Sequence, residues 1–135
     1  MALERINPDT LFKPNPEASA QVIVSTGGRQ VFVNGQISRD ADAAMIGEGD
    51  LEAQLRQCWS NVKDALAAAG ATGLDVVQYR TYVVDPKPGD AKNVTAIGRE
   101  VFGAEWPVAP ASFVGVPALG FHAYLVQIEA QAIVA

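Results

Sequence analysis

Apolar and polar positions along this chain follow two different periods. From Asp50 to Gly70, Leu51, Leu55, Cys58, Trp59, Val62, Ala65, Leu66 and Ala69 recur at steps of three and four, the period of a helix with one covered face. Asp50 stands where an N-cap belongs, and Gly70 where a helix stops. A second helical pattern runs from about Asp90 to Phe102, with Val94, Ile97, Val101 and Phe102 on one side. Elsewhere the alternation has period two, the mark of strands. QVIVST (residues 21–26) and QVFVNGQI (residues 30–37), separated by Gly27, Gly28 and Arg29, predict a hairpin. VVQYRTYVVD (residues 76–85) predicts a strand ended by Pro86 and Pro88. A strand near residues 112–116 and a last long one over residues 121–134 complete the set. Residues 1–20 hold three prolines and little periodicity and read as an arm or loop; residues 38–49 read as a loop.

The predicted order is β-β-α-β-α-β-β, an α+β class in a single domain over residues 1–135. Two helices cover only one face of such a sheet. On the last strand His122, Tyr124, Val126, Ile128, Ala130, Ala132 and Val134 form a largely apolar set, suited to that core. The opposite set, from Phe121 to Ile133, mixes Phe, Leu and Ile with Gln127, Glu129 and Gln131. It is too apolar for a wetted face, so it predicts cover by neighbouring chains, with its polar members lining clefts.

Composition supports that expectation softly. Hydrophobic residues make up 49% and charged residues 19% of 135, and mean hydropathy is +0.11. The net charge of −5, with no cluster of Lys or Arg, argues against nucleic acid, whose sequence-independent binding relies on neutralising phosphates. Cys58 is the only cysteine, which excludes an intrachain disulfide and fits a reducing compartment. No apolar run approaches the ~18 residues of a membrane span. No leader pattern opens the chain, and the expectation is a cytoplasmic protein without a membrane partner.

Glu129 is the anomaly. A charge in an apolar strand is costly unless it is paired or changes its protonation. It suits either a cleft carboxylate that handles water, its pKa lifted by desolvation, or a hydrogen-bond anchor at an interface. Asn34, Gly35 and Gln36 close a strand; the glycine allows close backbone approach to a ligand, and a plain strand-end turn explains them equally well. His122 falls on the core-side set and Cys58 on the helix's apolar stripe; both read as structural. With one His and one Cys, a zinc site is not credible, and no metal is expected. Trp59 reads as helix packing; Trp106 reads either as a cleft wall or as a loop anchor.

FVNGQI (residues 32–37) resembles the FVSGQI signature of the RidA/YjgF-like reactive intermediate (enamine/imine) deaminase family. GEGDLEAQLRQCWSNVKDALAAAG resembles that family's EGD-I-EAQ-TRQ helix, and VVQYRTYVVD and VQIEAQAIVA resemble its third and closing strands. The similarity runs from about Gln21 to Val134 in order. It implies a chorismate-mutase-like fold and a homotrimer whose sheets form a central barrel. It also implies ligand clefts at subunit boundaries, small carboxylate metabolites as ligands, hydrolysis of enamines or imines to keto acids and ammonia, and no cofactor.

Carried over position by position, the family's Pro-Ala-Arg run falls on Pro110, Ala111 and Ser112, so serine stands where the hallmark arginine is expected. A hydroxyl offers one neutral donor where guanidinium offers two parallel ones. Arg39, Arg80 and Arg99 are candidate replacements that sequence alone does not choose among. The signature's serine becomes Asn34, the second helix's asparagine corresponds to Thr95, and the tyrosine before the first strand has no counterpart. Gly35, Gln36 and Glu129 are retained. The implied site is Glu129 as the catalytic group with Ser112, Asn34, Gly35, Gln36 and Thr95 around the ligand. The departures leave a non-catalytic metabolite-binding trimer as the alternative to an arginine-lacking hydrolase.

Overall fold

A computed structural model describes residues 3–135. Eight strands and helices follow in order: β1 (Leu3–Ile6), β2 (Val22–Ser25), β3 (Arg29–Gln36), α1 (Leu51–Ala68), β4 (Val76–Val84), α2 (Asp90–Phe102), β5 (Ala111–Val116) and β6 (Val126–Val134). The main sheet has strand order β3-β6-β4-β5. Its β3/β6 and β6/β4 ladders are antiparallel and β4/β5 is parallel, with α2 as the crossover. This is the mixed α+β sheet expected. No helix among the described residues is long and apolar enough to cross a membrane.

Local chemistry sets the helix ends. Asp50 accepts from the Ala53 N–H at 3.1 Å, an N-cap that satisfies one orphan donor. At the far end Gly70 takes φ 74°. There Ala71 N–H donates to Leu66 O and Gly70 N–H to Ala67 O, the paired bonds of a Schellman stop. The buried stripe of α1 is Leu55, Cys58, Trp59, Val62 and Leu66 together with Gln54. Gln54 was not legible as core. Its amide donates to Gly47 O and Ala123 O while its Oε1 accepts from Leu125 N–H, so it ties α1 to the entry of β6.

Both helices pack on one face of the sheet, over Val33, Tyr79, Val83, Val126, Ile128, Ala130 and Ala132. Trp59 is the hub of that core. Its ring lies 5.2 Å from Tyr79, 5.7 Å from Phe102 and 5.2 Å from Trp106, all edge-to-face. Trp106 is therefore a loop anchor and not a cleft wall: it is buried, and its Nε1–H donates to Ala18 O at 2.9 Å. Gly98 lets α2 close on this cluster, since a Cβ there would meet Trp106 at 2.4 Å. Cys58 is buried, and desolvation pushes its thiol up to about 12, so it is inert packing.

Three expectations need correction. The predicted β2–β3 hairpin does not form a ladder. β2 pairs antiparallel with β1, and β3 pairs with β6. Gly27 and Gly28 both take positive φ, 74° and 89°, and bend the chain so that β2 leaves the main sheet. The first twenty residues accordingly hold a strand, anchored where Arg5 donates to Val108 O and Leu74 O. The last strand starts at Val126, later than predicted. Ala123 sits in the left-handed region at φ 74°, which breaks the pleat and leaves His122 exposed in a turn instead of in the core.

The opposite face of the sheet is left without a helix. It carries Phe32 at 68% exposure and Val114 at 37% beside Gln127, Glu129 and Gln131.

Candidate functional site

Register puts the chemistry together. Arg80 on β4 is the ladder partner of Glu129 on β6 and of Ser112 on β5. Ladder partners share a face, so Glu129, Arg80 and Ser112 form one row across three strands of the helix-free side, strands being about 4.8 Å apart. Tyr82, two residues beyond Arg80, lies on the same side, and its phenol donates to Glu129 Oε1 at 2.8 Å. Arg80 Nη1 stands 3.7 Å from that same oxygen. Among the described residues nothing donates to Glu129 Oε2.

The Glu129 side chain is 35% exposed and that of Arg80 46%, so the dry surroundings expected for the carboxylate are not supplied by a single chain. The Tyr82 phenol is pushed above its usual range, chiefly because its O–H bonds to Glu129, then by slight desolvation and by the carboxylate's charge. Arg80 opposes the shift. The hydrogen bond is thus present through neutral pH, and it is lost as pH rises through that raised value, above about 10.

Asn34 and Gly35 join Glu129 and Arg80 around a cavity of about 440 Å³, completed by Phe32, Gln78 and Gln131. The β3/β6 register shifts between Val33 and Gln36, so Asn34 and Gly35 occupy a bulge that turns them toward the cavity. The close approach that Gly35 permits is to a side chain: a Cβ there would stand 2.2 Å from Gln127 Nε2. Asn34 and Gly35 also border a second cavity of about 600 Å³, around Arg39, Asn61, Phe121 and Gln127. Gln36 faces only that second cavity, and its amide donates to Asn34 O at 3.0 Å. Arg39 is fixed there, donating to Tyr124 Oη at 2.8 Å with its guanidinium 4.6 Å from the Phe121 ring centre.

The site residues expected from sequence are thus only partly gathered. Glu129, Asn34 and Gly35 share one cavity, Ser112 lies beside it through Arg80, and Gln36 borders the neighbouring one. Thr95 lies on α2, in the layer on the other side of the sheet, and does not join them within one chain. Arg80 was one of three cations left open, and Tyr82 was missed. The signal for both was their spacing of two in YRTYVV, which puts them on one face.

The family model described as Endoribonuclease L-PSP matches residues 13–134. A RutC family protein of Pyrococcus abyssi is 33% identical over 107 residues, covering 79% of this chain and 80% of its own length. A solved structure from Yersinia pestis, described as a protein of unknown function of the conserved Rid family, aligns with a TM-score of 0.87. It is 36% identical and covers 99% of this chain and 100% of its own. A member of the YjgF/YER057c/UK114 family from Mycobacterium tuberculosis aligns with a TM-score of 0.60 at 33% identity, covering 85% of this chain and 86% of its own.

Proposed function

The chain belongs to the Rid/YjgF family, matched by the Endoribonuclease L-PSP model, and from that premise we propose that it hydrolyses small enamines or imines. The reaction takes place in clefts shared between the copies of a cytoplasmic homotrimer. The observation that carries this reading is the state of Glu129: one carboxylate oxygen is held by Tyr82, the other has no donor among the described residues, and the residue lines a cavity large enough for a small metabolite.

In that geometry Glu129 Oε2 accepts a proton from water as the water oxygen bonds to the imine carbon. The C=N π pair moves to nitrogen, which takes the proton that Glu129 accepted; an enamine first becomes this imine by gaining a proton at carbon from solvent and losing one from nitrogen. The carbinolamine hydroxyl then gives its proton to Glu129, which passes it to the nitrogen as the C=O bond forms and the C–N bond breaks, so that ammonia and a carbonyl product leave. Tyr82 keeps the carboxylate from rotating. Asn34 and Gly35 shape the wall opposite, and Ser112 offers a neutral hydroxyl where relatives are expected to carry arginine. A neighbouring copy laid over Phe32 and Val114 would dry the cleft.

Ser112 also favours a second reading, a non-catalytic trimer that binds or senses a metabolite, because the row loses its usual carboxylate clamp. Cleavage of RNA, the activity in the family model's description, fits poorly with a net charge of −5 and no basic cluster.

One experiment separates the two main readings: enamines and imines are generated in situ from a range of amino acids, and release of ammonia and keto acid is followed with and without the protein. Acceleration by the protein is expected for at least one of them. Ligand-induced thermal stabilisation across the same range, with no release above background, would assign the protein to the binding class.

A further inference from the structure

Four of the six arginines donate to protein acceptors: Arg5 and Arg29 to backbone carbonyls, Arg39 to Tyr124 and Arg56 to Glu100. Arg80 is different. Its one ion pair is a 3.7 Å approach to an oxygen that Tyr82 already occupies, and it lies near enough to the Tyr82 phenol to oppose that group's pKa shift. It is also the arginine of the Glu129 cavity. A guanidinium carries five N–H donors in a planar fork suited to a carboxylate. Here the residue that carries the fork lines the cavity, and its side chain is 46% exposed.

The neighbours limit what it accepts. Glu129 beside it repels a bare anion but attracts a cationic or N–H-bearing nitrogen. A ligand that satisfies both therefore carries a carboxylate and a nitrogen close together, and the two heads sit on adjacent strands, about 4.8 Å apart. Ser112 adds a neutral donor next in the row.

Taking this cavity as the ligand site, as the preceding reading does, we propose that Arg80 is its specificity-determining residue. It holds the ligand's carboxylate while Glu129 faces the adjacent nitrogen, so that a guanidinium on β4 serves the row whose β5 member is Ser112. An arginine side chain is longer than the spacing between neighbouring strands. Its head can therefore reach the same point of the cavity from either position of the Arg80–Ser112 pair.

The test is equilibrium binding of α-amino acids of increasing side-chain size against their carboxamides, which keep the nitrogen and lose the charge. It is measured calorimetrically on wild type, Arg80→Gln, Arg80→Lys and the exchange variant Arg80→Ser with Ser112→Arg. Wild type is expected to prefer the acids by about 10–100-fold. Arg80→Gln should bring acids down to the level of amides without changing amide binding, and Arg80→Lys should fall between. The exchange variant should regain most of the preference. Unchanged circular dichroism spectra keep loss of fold out of the comparison.

A wild type without preference, or without measurable binding of any acid at millimolar concentration, overturns the proposal; so does an Arg80→Gln variant that retains the preference. Ammonia release, measured alongside, keeps the two ideas apart. Turnover that survives with no acid preference defeats the role of Arg80 alone. Acid preference through Arg80 with no turnover defeats the hydrolase alone.

Discussion

Trp59→Ala is expected to remove about 3–5 kcal/mol of folding stability, against a total of about 5–15 kcal/mol for a domain of this kind. Trp59 is fully buried and joins several elements of the helix-side core. Its ring meets Tyr79 from β4, Phe102 from α2 and Trp106 from the following loop. Its Nε1–H donates to Val94 O at 3.0 Å, so α1 and α2 are joined through it. Alanine removes the whole indole, and the rings around it sit on three different elements and cannot collapse inward together. Trp59→Phe, which keeps a ring and loses the donor, should fall between the two. Urea unfolding followed by circular dichroism reads the difference. A loss below about 1 kcal/mol for the alanine variant would put Trp59 among surface residues and contradict the packing described.

Glu129→Gln is expected to lower turnover of a responsive imine by about 10²–10⁴-fold while leaving the unfolding midpoint nearly unchanged. The amide oxygen still accepts from Tyr82, so the strand pairing and the side-chain position survive. What disappears is the capacity to take a proton from water. Tyr82→Phe removes only the restraint on the carboxylate and should cost less. Rates compared at saturating substrate separate the chemical step from binding. Turnover that is indifferent to Glu129→Gln would leave the carboxylate as an anchor and assign water activation to another group.

The two faces of β6 could be read from alternation alone, because a period of two with Val126, Ile128, Ala130 and Ala132 on one side leaves Glu129 no other place. The first helix, both of its ends and the second helix were equally legible, since caps, glycines and prolines act locally. What the sequence hid was set by pairing between distant segments. Which of Arg39, Arg80 and Arg99 stands beside Glu129 depends on the β4/β6 register, and no local pattern encodes a register. Two glycines between β2 and β3 signal a hairpin as strongly as they signal the bend found here. β1 is four residues long and two of them are charged, so its alternation is too short to detect. His122 was misplaced because Ala123 adopts a backbone conformation that its side chain does not announce. Gln54 falls outside the apolar stripe read from sequence because it is polar, and its three partners lie in loops that sequence does not bring near.

In the proposed reading the helix-free face of the β3-β6-β4-β5 sheet is covered by other copies of the chain, which close the cleft around Glu129. Phe32 and Val114 on that face are what such a cover would remove from water. Sedimentation equilibrium of the full chain at micromolar concentration tests this most directly. The expected result is a single species of three times the chain mass. A folded species of one chain mass, stable over the whole concentration range, would contradict it.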